Sequence, residues 1–291
     1  MPNAFTAARL AAVALALCSA GAVVAAPPAA EAAIAYRVAT QDTLIGIGQR
    51  VLTSPAAWPE VARLNRLPDP NRLTPGQVLQ LPVRLLRSTQ VPAQAVAVEG
   101  EATLAGRPLR AGDPVPPGEA LQVAAGSSVL LRLGDGSTLK LLPLSQTELG
   151  EHRRFDLRAD GGEQDGVFAS TMRLISGSLE VLASKVLRAK PLEVSTPTAV
   201  IGVRGTEYRV HHAQARSGTE VLTGQVQADV GTQGVAVAAG FGAALLPGQA
   251  PRAVALLPAP DLAAVPARFE RPVMRFALPG TEPWRVQVAA D

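Results

Sequence analysis

Val129-Leu130-Leu131-Arg132-Leu133-Gly134-Asp135-Gly136-Ser137-Thr138-Leu139-Lys140-Leu141-Leu142 alternates on both sides of a glycine-rich turn. Val129, Leu131 and Leu133 fall on one face of a first strand, and Leu139 and Leu141 on one face of a second. The stretch therefore reads as a β-hairpin whose apolar face needs a partner sheet. Downstream, Leu174-Ile175-Ser176-Gly177-Ser178-Leu179-Glu180-Val181 and Val221-Leu222-Thr223-Gly224-Gln225-Val226-Gln227-Ala228 repeat one pattern of apolar positions around a glycine. Each reads as a strand bent or turned at that glycine, where positive φ carries no steric cost. Between them, Leu192 to Val210 reads strand, Thr196-Pro197 turn, strand, Gly205-Thr206 turn, strand. Upstream, Val96 to Gly100 opens the run, and the Gly- and Pro-rich stretch from Leu109 to Leu121 reads as successive turns.

The composition agrees with this β reading. Hydrophobic residues make up 47% of 291 and aromatics only 3%, with 26 Gly and 25 Pro, a mix suited to short strands and many turns. The length leaves room for roughly two domains of about 100 to 200 residues, one of them small. A formal charge of +3, with its cations scattered singly, lacks the basic footprint that nucleic acid requires.

A different pattern occupies residues 36 to 83. Tyr36-Arg37-Val38-Ala39-Thr40 alternates like a strand, and Gln41-Asp42-Thr43-Leu44 starts a helix with Asp42 or Thr43 as N-cap. Pro55 to Asn65 carries Trp58, Val61, Ala62 and Leu64 at helical spacing, and Pro68-Asp69-Pro70-Asn71 breaks the chain into a turn. Leu73-Thr74-Pro75-Gly76-Gln77 makes another turn, and Val78-Leu79-Gln80-Leu81-Pro82 closes as a strand. The order is βααβ.

That order, the opening Tyr36-x-Val38, Asp42-Thr43-Leu44, Leu64-Asn65 and the run Leu73 to Pro82 resemble the LysM module. The resemblance implies binding of glycans containing N-acetylglucosamine, peptidoglycan in bacteria, in a shallow groove between two loops. In this chain the loops hold Asp42, Thr43, Leu44, Ile45 and Gly46 on one side and Leu67, Pro68, Asp69, Pro70, Asn71 and Arg72 on the other. Such a groove suits an acetamido sugar, because backbone groups meet its amide and hydroxyls and small apolar walls meet its methyl. Two departures stand out. Gln41 replaces the usual glycine before the aspartate, and Gly46 and Gly48 each weaken the first helix by about 1 kcal/mol relative to alanine. A purely structural role for Asp42 as a cap and for Asn65 as a turn residue stays open.

The β run in turn resembles the FecR domain. Gly126-Ser127, Asp135-Gly136-Ser137, Thr196-Pro197, Gly205-Thr206-Glu207-Tyr208-Arg209-Val210 and Gly224-Gln225-Val226 match its pattern in order over residues 95 to 250. The resemblance implies a periplasmic all-β sandwich or jelly-roll-like unit, best known from iron-transport regulators that relay a signal from an outer-membrane receptor to a sigma factor. Those regulators place an anti-sigma segment and a transmembrane helix ahead of the domain. Here a signal peptide and the LysM-like module stand there, so direct contact with a sigma factor is not expected.

Residues 1 to 26 have the lone charge Arg9, the apolar stretch Leu10 to Leu17 and a small-residue end, the pattern of a secretory signal peptide. No later stretch offers the roughly 20 apolar residues of a transmembrane helix. The expected compartment is the periplasm, with acylation at Cys18, the single cysteine, as an alternative anchor. Without a second cysteine no disulfide can form within the chain. Residues 84 to 94 read as a linker and 251 to 267 as a Pro- and Ala-rich one. Residues 268 to 291 read as a β-hairpin that either starts a truncated immunoglobulin-like module or adds to the FecR-like sheets.

Catalysis is not expected. His152, His211 and His212 show no metal-ligand spacing, and no nucleophile elbow, phosphate loop or dinucleotide fingerprint occurs. Asp135, Glu148, Asp156 and Asp165 could pair as glycosidase carboxylates about 5 Å apart, but they read as solvated turn residues. The loop from Asp160 to Gly166 could offer oxygens to calcium. The expected protein is a mainly β, non-catalytic, peptidoglycan-binding envelope protein without cofactor or metal, whose β domain holds or senses an envelope protein. The alternatives are a periplasmic adaptor for an outer-membrane receptor and a cell-wall hydrolase.

Overall fold

A computed structural model describes residues 32–155, 157, 167–203 and 205–258. The stretch read as a signal peptide, with Cys18, the carboxylates Asp156 and Asp165, residues 160–166 and the stretch 268–291 read as a hairpin lie outside the described residues.

The first unit runs β1 (Ala33–Arg37), α1 (Leu44–Val51), α2 (Trp58–Leu64) and β2 (Val78–Pro82), with a 3-10 turn, Pro55–Ala57, before α2. β1 and β2 pair antiparallel, Tyr36 opposite Leu79. Ile34, Tyr36, Leu79 and Leu81 alternate inward from the pair and meet Leu44, Ile47 and Val51 of α1 and Val61 of α2. The two glycines of α1 have local causes. A Cβ at Gly48 would stand 3.2 Å from the Pro55 carbonyl oxygen, and one at Gly46 would stand 3.0 Å from the capping Thr43 Oγ1. Helix propensity yields here to close approach.

Short strands follow in chain order: β3 (Ser88–Gln90), β4 (Ala93–Glu99), β5 (Ala102–Leu104), β6 (Arg107–Pro108), β7 (Pro114–Val115), β8 (Ala120–Val123), β9 (Ser128–Arg132) and β10 (Thr138–Leu141). Two long strands, β11 (Gln146–Phe155) and β12 (Val167–Leu182), come next. Then come β13 (Leu192–Ser195), β14 (Val200–Val203), β15 (Glu207–Ala213), β16 (Arg216–Thr223), β17 (Gln225–Val230), β18 (Gln233–Ala238), β19 (Phe241–Leu245) and β20 (Arg252–Ala255). The chain is thus mainly β, a small helix-containing unit followed by a larger β domain.

Two sheets meet in β12. Its first half pairs with β11 and, in parallel, with β13. Its second half pairs with β10 and β15. The change of sheet falls at Gly177, φ 94°, where a Cβ would lie 2.5 Å from the Cα of Ser145, so only glycine fits. Ser145 fastens the corner: its hydroxyl donates to the Ser178 carbonyl and accepts from the Ser178 N–H, both at 2.9 Å.

One sheet continues through β5, β8, β11, β12, β13, β14, β17 and β18. The other continues through β4, β9, β10, β12, β15, β16, β19 and β20. The β9–β10 hairpin holds Leu131 opposite Leu139 and Val129 opposite Leu141, all buried. They join Val181, Tyr208, Val210, Leu149, Met172, Val194 and Ile201 in one apolar core.

Residues 84–94 contribute backbone pairing to both units. Thr53 and Arg87 donate N–H groups to the Leu85 and Val51 carbonyls, each at 2.8 Å, and β3 pairs with β11, Ser88 opposite Phe155. The core of the first unit also takes in Phe155, Leu157, Val167, Ala169 and Ala189 of the β domain. The two units share one hydrophobic cluster. Residues 252–255, within the Pro- and Ala-rich stretch, form β20 because the Leu256 N–H finds the Gly240 carbonyl and the β19 edge stands open beside them.

Candidate functional site

The loop leaving β1 closes through an Asp42 N–H to Ala39 carbonyl bond of 3.2 Å. Gln41 sits there at φ 70°, the left-handed conformation that favours glycine. Of the two possible caps the structure uses Thr43, in extended backbone, whose Oγ1 accepts the Gly46 N–H at 3.0 Å. Asp42 instead turns inward. Its Oδ2 accepts the Tyr36 hydroxyl at 2.8 Å and the Ala39 N–H at 2.9 Å, and its Oδ1 accepts Arg50 Nη2. The Asp42 side chain is 5% exposed and that of Arg50 56%. Burial pushes the Asp42 carboxyl up, but the donors Arg50, Ala39 N–H and Tyr36 overcome it and hold the group below the usual carboxylate value. Burial, and then the bond to Asp42, raise the Tyr36 hydroxyl. In this loop Leu44 is buried in the core, Gly46 is half-buried, and Thr43 and Ile45 are exposed, Ile45 at 47%.

The opposite loop begins at a Schellman stop. Leu67 N–H reaches the Ala62 carbonyl and Arg66 N–H the Arg63 carbonyl, both at 3.1 Å, with Arg66 at φ 51° in the place glycine usually takes. Asn65 ties α2 to β2: its Nδ2 donates to the Val61 and Gln80 carbonyls, and its Oδ1 accepts the Gln80 N–H at 2.6 Å. Leu67 is half-buried against the core. Asp69 Oδ1 accepts the Asn71 N–H at 2.9 Å and shapes the Pro68–Arg72 turn. Pro68, Asn71 and Arg72 are exposed; Asp69 and Pro70 are half-buried. Val38, just after β1, is tied to the turn ahead of β2 through its N–H to the Gln77 carbonyl and its carbonyl from the Gly76 N–H, both at 2.8 Å. The first loop exposes the apolar Ile45 and the Thr43 side chain, and the second exposes the Asn71 amide and the Arg72 guanidinium, groups of the kind that can hydrogen-bond a neutral sugar.

The β domain buries its polar side chains in networks that the sequence did not disclose. Arg188 Nε donates to Asp135 Oδ2 at 2.8 Å and its Nη2 lies 2.8 Å from the same oxygen in an ion pair, the two side chains being 1% and 0% exposed. It also donates to Ser137 Oγ and to the Ser184 carbonyl, each at 2.7 Å. The Asp135-Gly136-Ser137 turn is therefore locked to the 183–190 segment, with its carboxylate buried against the Arg188 guanidinium. His152, fully buried, accepts the Gly134 N–H at Nε2 (3.0 Å), which leaves the proton on Nδ1 to donate to Ser170 Oγ (2.9 Å). Burial pushes this imidazole below its usual value, against a smaller opposing pull from Asp135. Thr196 Oγ1 accepts the Thr198 and Ala199 N–H groups, and Ser217 links it to His212 Nδ1. The Thr196-Pro197 motif is thus a turn held by side chains. Among the described residues no group of three or more His, Asp or Glu side chains gathers as metal ligands.

Comparison with known proteins follows this division. Residues 36–82 match the LysM domain family, and residues 119–227 match the family described as FecR protein. No curated protein matches the chain. Two crystal structures of a protein described as an anti-sigma factor from Parabacteroides distasonis ATCC 8503 are similar at 15% and 14% identity, with TM-scores of 0.36 and 0.37. Each alignment covers 47% of this chain and 59% of that one, so the chain spans less than two thirds of their length. The chain carries a LysM domain at 36–82 followed by a FecR domain at 119–227.

Proposed function

We propose that the protein grips peptidoglycan without cleaving it, through the loops 42–46 and 67–72, while its FecR domain holds or senses a second component of the cell envelope. The observation that carries the reading is that residues 36–82 fold as a complete LysM βααβ unit with both loops formed and Ile45, Asn71 and Arg72 exposed on them. In this reading Asp42 and Asn65 shape the loops, and Thr43, Ile45, Gly46, Pro68, Asn71 and Arg72 meet the sugar. The periplasm, reached by the N-terminal signal, is the compartment where such a ligand lies.

Sedimentation of the full chain with purified peptidoglycan tests it. Removing residues 36–83 would uncover Phe155, Leu157 and Val167, so loop substitutions are the cleaner probe. Ile45→Asp and Asn71→Ala should leave the protein folded and move it from pellet to supernatant. Equal sedimentation of wild type and both variants would refute the assignment of the loops.

A further inference from the structure

The outward face of the sheet formed by β9, β10, β12, β15 and β16 carries a depression of about 180 Å³. Leu182, 56% exposed, and Leu222 give it an apolar lining. Register places charges around them. Lys140 stands opposite Glu180, Glu180 opposite Arg209, and Leu182 opposite Glu207. Arg209 Nε donates to Glu180 at 3.1 Å, and its Nη1 lies 3.7 Å from Glu220, so the central charges satisfy one another. Lys140 and Glu207 form no ion pair among the described residues. One ammonium and one carboxylate are left to border the same depression from β10 and β15. Two strand spacings separate those strands, about 10 Å, the reach of roughly three extended residues.

A ligand that answers both ends needs a carboxylate for Lys140, an ammonium for Glu207 and apolar groups between them for Leu182 and Leu222. That is the chemistry of a short peptide with unblocked charges of both signs. A simple phosphate or a neutral sugar lacks it. We propose that this depression binds the peptide stem of peptidoglycan, whose diamino acid supplies the amine and whose terminus supplies the carboxylate. The stem as source rests on the reading of the protein as a wall binder; the site itself is separate from the LysM loops. The wall would then be held twice, glycan at one unit and peptide at the other.

Titration calorimetry on the full chain tests this with three probes: a muramyl tetrapeptide with its diamino-acid amine free, the same fragment with that amine acetylated, and an N-acetylglucosamine tetramer. The free-amine fragment should bind, and acetylation should weaken it. Lys140→Ala and Glu207→Gln, both surface changes, should each weaken it roughly tenfold, the size of one lost charged hydrogen bond, with thermal melts and tetramer binding unchanged. Failure of the fragment to bind, or equal binding by the acetylated form and both variants, overturns the proposal. A fragment that binds through Lys140 and Glu207 while the tetramer does not would uphold this site and sink the loop assignment.

Discussion

Single residues decide the quality of this fold in ways that chemistry makes measurable. Gln41 and Arg66 occupy left-handed positions immediately ahead of the loops 42–46 and 67–72. Gln41→Gly should therefore raise stability by about 1 kcal/mol, read as a higher melting temperature. In the other direction, Arg188→Ala leaves the Asp135 carboxylate buried without its cation and should cost about 3 to 5 kcal/mol, read by denaturant unfolding. His152 gives a pH signature. Its folded pKa lies below the unfolded value of 6.5, so the native state binds fewer protons than the unfolded one. Stability is full above pH 6.5 and falls as the pH drops below it. Melts from pH 7.5 to 5 should show this decline, and His152→Gln should flatten it. The Gln41 departure was visible in the sequence as a missing glycine, and the structure supplies its reason. The Arg188–Asp135 and His152–Ser170 pairs were not visible, because their partners meet only after distant strands align.

At the scale of elements, periodicity was a good guide wherever a strand buries one face. Val129, Leu131, Leu139 and Leu141 alternate in the sequence and lie in the core in that order. The glycine at 177, read as bending or turning its strand, bends it: β12 runs unbroken for 16 residues and changes sheet there, a continuation that the alternation alone does not reveal. The four-residue β20, exposed throughout, has no alternation of burial to betray it. Turn chemistry yields a further prediction. The β15–β16 hairpin closes over Gln214 and Ala215, at φ 49° and 60°, a two-residue turn that Asn-Gly fits best. The double change Gln214→Asn and Ala215→Gly should stabilise the protein by about 1 kcal/mol or more, read by thermal melting. Gly48→Ala, by contrast, should give no helix-propensity gain, because the Pro55 carbonyl occupies the space.

Across the whole molecule, the division into a LysM unit and a FecR domain was legible, because each has its own hydrophobic period and its own motifs. The joint was not. The sequence between them lacks periodicity, and its strand, β3, takes its structure from pairing with β11. The shared cluster around Phe155 and Val167 predicts cooperative unfolding. Calorimetry should record one transition for both units, and Phe155→Ala should lower it as a whole by about 3 to 5 kcal/mol; two separate transitions would contradict this. β12 has a mechanical consequence as well. A strand stitched by hydrogen bonds into both sheets is a tie-rod: tension entering at the LysM unit passes through β3 to β11 and then into β12, which spreads it over the two sheets at once. Load then falls as shear on many bonds together, and the fold resists peeling strand by strand.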